Sequence, residues 1–170
     1  NYLNKKNICI LNNYSTSRVL KEIELGESPS HLVFGISELK YKYNFYFAED
    51  LKGFCGIHIL SKFLNLILRF FLSGDIEKQL RVWLNRDKFN LVYSCSGDQT
   101  NILQFMRSIN CFSVPIITLV HHRPNIGRLD FLRNNFRKKM YNGSDNTLCL
   151  SSSVANYLNE KFLEDKTAKS

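Results

Sequence analysis

The run "VPIITLVHH", residues 114–122, constrains the fold more than any other stretch of this chain. Val, Ile and Thr crowd the backbone at Cβ and favour extended conformation. Apolar residues fill consecutive positions rather than alternate ones, so both faces of the strand must be covered, as inside a parallel sheet. Shorter runs of the same kind recur at 7–11 ("NICIL"), 44–50 ("NFYFAED"), 89–95 ("FNLVYSC") and 147–151 ("TLCLS"). Between them lie segments with helical spacing. In "SPSHLVFGISELKYK" (28–42) Ser28 suits an N-cap, Pro29 suits the first helical position, and Leu32, Ile36 and Leu39 share a face. Further helices are predicted over 57–73, 76–86, 101–110, 127–141 and 152–162. Strand–helix alternation of this kind predicts an α/β fold, a doubly wound parallel sheet of five strands with helices on both faces. At 170 residues, with no repeat, low-complexity tract or linker, the chain reads as one domain over 1–170.

In such sheets ligands bind beyond the carboxyl ends of the strands, near the point where strand order reverses. The segments "NNYSTS", "SGDQT", "HHRPN" and "SSS" all follow strands and should share that edge. Their hydroxyls, amides, glycine and histidines suit a polar ligand.

Charge narrows the choice of partner. Lys and Arg number 23 against 15 Asp and Glu, a net charge of +8, which points to phosphate, nucleic acid or an anionic membrane. From 121 to 142 the chain carries Arg123, Arg128, Arg133, Arg137, Lys138 and Lys139 against Asp130 alone, +5 of that total. This stretch is either a solvated basic face or an anion patch, with Leu129, Leu132, Phe136 and Met140 forming an opposite apolar stripe. Nucleic acid is disfavoured, since no helix-turn-helix or aromatic RNA platform is recognisable. The stretch "FLNLILRFFL" (63–72) is about half the roughly 20 residues a membrane span needs. Five cysteines lack short paired spacing, and Cys9, Cys95 and Cys149, inside apolar runs, read as buried thiols in a reducing compartment; no signal peptide is expected. The expected location is cytoplasmic.

Several chemistries are excluded by pattern. His121 and His122 are adjacent, and neighbours on a strand point to opposite faces, so they chelate one ion only if the strand ends between them. His31 and His58 show no H-x-x-x-H spacing, and no metal site is expected. "SCSGD" lacks the leading glycine of a G-x-S-x-G elbow. A Cys95–His pair stays open, although Cys95 reads as interior. The G-x-G-x-x-G fingerprint and the P-loop are both absent. Gly26 precedes "ESPSH", a turn leading into a helix N-terminus, where free N–H groups favour anions.

Three segments carry a resemblance. "PIITLVH" opens with Pro115 and ends in His121; "DNTLCLS" runs from Asp145 to Ser151; "FNLVYSCSG" precedes a helix. Their order resembles the amino-terminal half of a GT-B glycosyltransferase, in particular glycosyltransferase family 4. The resemblance implies a Rossmann-like domain that binds the acceptor, with the strand-end histidine in the interdomain cleft touching the sugar of a nucleotide-sugar donor. That role passes to His121. His122 fills the family's variable position, and Gly26 matches its glycine near the donor phosphates. Gly97, Arg123, Ser151 and Ser152 would line the same cleft. Two departures stand out: a longer first loop, "YSTSRVLKEIEL", and no doubled glycine. The family's donor-binding domain, with its E-x7-E motif, is not in this sequence, so the chain is not expected to catalyse transfer alone. The implied partners are a carbohydrate or lipid-linked acceptor and that second domain, with no metal cofactor. Basic surfaces in several family members dock on membranes, which would place the protein at the inner membrane face. The competing expectation is a non-catalytic module whose patch of Arg128, Arg133, Arg137, Lys138 and Lys139 binds anionic membrane or polysaccharide.

Overall fold

The computed structural model describes residues 5–33, 35–68, 74–124, 130–163 and 169. Five strands, β1 (Lys6–Leu11), β2 (Tyr43–Phe47), β3 (Leu91–Ser94), β4 (Ile116–Val120) and β5 (Asn146–Cys149), form one sheet in the order β2-β1-β3-β4-β5. Every pairing is parallel. The helices are α1 (Thr16–Glu24), α2 (Ile36–Leu39), α3 (Ile57–Leu68), α4 (Ile76–Leu84), α5 (Asn101–Ser108), α6 (Asp130–Asn142) and α7 (Ser152–Lys161). This is a Rossmann-like doubly wound α/β fold. From β1 the chain turns outward to β2, then crosses back to β3, so strand order reverses between β1 and β3.

Alternation along the strands divides the core. Ile8 and Ile10 of β1 face Val19 of α1, Val33 and Ile36. Cys9 and Leu11 point the other way, toward Val82 of α4 and Leu103 of α5. Past β4 a third cluster joins Val120 and Cys149 to Met140 and Tyr141 of α6 and Val154 and Leu158 of α7. Burying such side chains contributes about 1.5–3 kcal/mol each, which is why consecutive apolar residues in these strands hold the sheet between its two layers.

Three sequence expectations need correction. The long first loop is helix α1: the Ser15 side chain accepts from the Arg18 N–H as an N-cap, and Val19 and Ile23 repeat at helical spacing. The helix predicted over 28–42 is instead a 3-10 turn at Ser30–Val33 followed by α2. Gly35 between them has φ +78°, left-handed backbone that stops helical propagation, and the Ser28 hydroxyl donates to Glu22 rather than capping. Finally β4 ends at Val120, two residues earlier than predicted, so both histidines lie beyond it. The helix predicted over 57–73 is described as far as Leu68; residues 69–73 lie outside the described residues.

Candidate functional site

His121 stands just past β4 at the carboxyl edge, half-buried. Its Nε2–H donates to the Cys95 backbone carbonyl at 2.8 Å, joining the end of β4 to the end of β3 beside the reversal point. A carbonyl only accepts, so this bond fixes the proton on Nε2 and, in the neutral ring, the lone pair on Nδ1. The Cys95 thiol takes no part. It is buried, and burial together with the Glu49 charge pushes its pKa up to about 12. A Cys95–His121 nucleophile is therefore not what the geometry builds: the histidine meets the carbonyl, and the thiol stays protonated at neutral pH.

His122 is exposed, and its ring meets that of His121 edge-on with centroids 6.2 Å apart. The opposite-face separation expected on a strand does not apply once the strand has ended. Among the described residues, no group of three or more His, Cys, Asp or Glu side chains is placed to hold a metal ion.

Gly97 lies in the loop after β3. A Cβ there would sit 3.1 Å from Val120 Cγ2, so glycine lets this loop press onto the end of β4 beneath His121. Arg123 reaches to α7: its Nη2 donates to the Ser153 carbonyl at 3.2 Å and to the Ser153 hydroxyl, and its guanidinium lies over the Tyr157 ring at 5.2 Å. It ties the loop after β4 to the helix after β5. Ser151 is the α7 N-cap, accepting from the Val154 N–H at 3.3 Å, and Ser152 follows, exposed, as the first helical residue.

His121, His122, Gly97, Arg123, Ser151 and Ser152 thus share the carboxyl edge. Gly26 does not. It follows α1 with φ +76°, its N–H donating to the Ile23 carbonyl while the Glu27 N–H donates to the Glu22 carbonyl, a C-terminal helix cap at the opposite edge. A helix joining two parallel strands carries its C-terminus to the amino ends of those strands, which takes Gly26 away from the cleft.

The other end of α1 is where an anion would sit, because the first N–H groups of a helix lack intrahelical partners and point, with the helix dipole, to the end of β1. That seat is filled from within. Glu49, just after β2, accepts the N–H groups of Thr16 at 2.7 Å and Ser17 at 3.3 Å. Lys78 of α4 donates to the Asn12 carbonyl at 3.0 Å, bringing a cation to the same end of β1. Nothing in the local sequence links Glu49 to residues 33 positions earlier; only the β1–β2 pairing brings them together.

The basic patch on α6 is weaker than its composition. Arg137 donates to Asp130 at 3.1 Å, with both side chains largely covered, and Arg133 and Lys138 are half-buried. Lys139 is exposed, and Arg128 and Leu129 lie outside the described residues. The opposite stripe is divided: Phe136 stacks on Phe105 at 5.0 Å and Met140 is buried, whereas Leu132 is exposed beside Phe131. Asp145 accepts from Arg107 at 2.6 Å and from the Ile116 N–H at 2.8 Å, so it pins the amino edge rather than serving the cleft.

No family model matches the chain, and no curated protein or solved structure gives a significant match. Among the described residues no helix is long and apolar enough to cross a membrane.

Proposed function

We propose that this chain is the acceptor-side domain of a GT-B glycosyltransferase, with His121 acting at its cleft on a sugar delivered by a nucleotide-sugar bound to a second domain. The observation that carries the reading is the placement of His121: at the carboxyl end of β4, next to the strand reversal, with its ring fixed by the Cys95 carbonyl. An imidazole at this edge can exchange hydrogen bonds with the hydroxyls of a sugar. His122, Arg123, Ser151 and Ser152 supply imidazole, cationic and hydroxyl groups along the same edge, where Gly97 lets the loop after β3 approach β4, as a carbohydrate or lipid-linked acceptor would require.

The self-filled anion seat supports the acceptor side over the nucleotide side. A diphosphate at the α1 N-terminus would meet the Glu49 carboxylate already there, so donor phosphates are better held by the other domain. The binding-module alternative loses support on α6, where Arg137 is paired with Asp130. On the glycosyltransferase reading the protein works in the cytoplasm, against the inner membrane face where its acceptor is lipid-linked.

The test is His121→Ala in the chain joined to its donor-binding domain. Transfer should fall at least tenfold while the thermal melt of the protein shifts by a few degrees at most. Undiminished turnover would remove His121 from the reaction.

A further inference from the structure

Helix α3 leaves much of its apolar surface uncovered. Ile59, Leu60, Phe63, Leu66 and Ile67 fall on one face at helical spacing, and they are 76, 38, 59, 65 and 54% exposed. The other side carries Ile57 and Ser61, both buried, and α4 is the main neighbour of the helix. His58, Lys62 and Asn65 make a narrow polar strip along one flank. A contiguous exposed apolar stripe of this kind marks an interaction surface, unlike apolar residues scattered singly.

We infer that α3 is an in-plane membrane anchor, seating this face in the acyl boundary of an anionic lipid surface. Two features select lipid over a protein partner. The stripe consists only of Ile, Leu and Phe, with no polar side chain to set the register that a specific protein interface needs, whereas a bilayer asks for none. A second copy would bring the same net charge of +8 and be repelled, while anionic headgroups are attracted to that charge and to Lys62 beside the stripe. The described turns, Ile57–Leu68, span about 18 Å and can lie flat at the acyl boundary. Apolar insertion and electrostatic attraction together meet the two-signal requirement for stable peripheral binding. The contact is thereby placed on α3 rather than on the basic helix α6, and it does not rest on the glycosyltransferase reading.

Flotation of the chain with two sets of vesicles tests this, phosphatidylcholine alone and phosphatidylcholine mixed with phosphatidylglycerol. The protein should float with the mixed vesicles at low salt, and the double substitution Phe63→Gln, Leu66→Gln should weaken that partition at least tenfold. Both side chains are exposed, so the melting temperature should hold and the loss cannot come from unfolding. Equal flotation of variant and parent overturns the inference, as does a parent chain that ignores anionic vesicles. A parent that sediments as a dimer, dissolved by the same substitutions, would assign the stripe to a second copy instead.

Discussion

Five thiols in one chain share a functional group and differ only in what surrounds them. Cys9, Cys95 and Cys149 are buried, while Cys55 and Cys111 are exposed. Burial is the first cause of the raised pKa in all three buried thiols, and the Glu49 charge adds to it at Cys9 and Cys95. Only the thiolate attacks a disulfide reagent, so a buried thiol with a raised pKa is doubly protected, by access and by protonation. An aromatic disulfide reagent at neutral pH should therefore release two equivalents promptly and the remaining three only in denaturant. A third rapid equivalent would show that one of the apolar runs opens to solvent. The burial of these cysteines was legible in the sequence, because each lies inside an apolar run. The partner of His121 was not: the Cys95 carbonyl is 26 positions away, and only the β3–β4 pairing brings the two together.

Among the elements, legibility follows how strong the local signal is. The five strands were readable because β-branched runs are dense and parallel sheets bury both faces. Helix α1 was missed because its N-cap, Ser15, sits inside "NNYSTS", whose composition is that of a turn. Ser15, the Val19–Ile23 pair and Gly26 together were the available signal for a capped helix, but Gly26 was assigned to the next helix's start rather than to this one's end. The helix predicted over 28–42 failed where apolar spacing ran on through Gly35, whose positive φ breaks it. The same logic separates two serines expected in the cleft. Ser151 caps α7, so Ser151→Ala should cost about 1 kcal/mol of stability in urea unfolding. Ser152 is exposed at the first helical position, and Ser152→Ala should change stability little. Equal losses from both would mean that the Ser151 hydroxyl is not the cap.

For the molecule as a whole, α4 is the tie that fastens the β2–α3 segment to the sheet. Arg81 donates to the Leu51 carbonyl, Asn85 donates to the Lys52 carbonyl at 2.9 Å, and Lys78 reaches the Asn12 carbonyl. Glu77 stands at the centre, 2.6 Å from Arg81 Nη2 and 2.6 Å from His58 Nδ1 of α3. The Arg81 hydrogen bonds are the main reason its carboxyl lies below the usual value of 4.5; partial burial opposes this, and His58 adds to it. A carboxyl with a depressed folded pKa binds its proton more readily in the unfolded chain. Its stabilisation is complete above the unfolded value and is lost as pH falls through the folded one, from about pH 5 downward. Mutual repulsion in a chain of net charge +8 also rises in acid, but it does so with or without Glu77. Glu77→Gln should thus melt at a lower temperature than the parent at pH 7, fall less steeply in acid, and approach the parent as pH drops through the lowered pKa of Glu77. Melting curves followed by circular dichroism across that range decide it. Parallel pH profiles would show that Glu77 does not couple α3 and α4 to the stability of the fold.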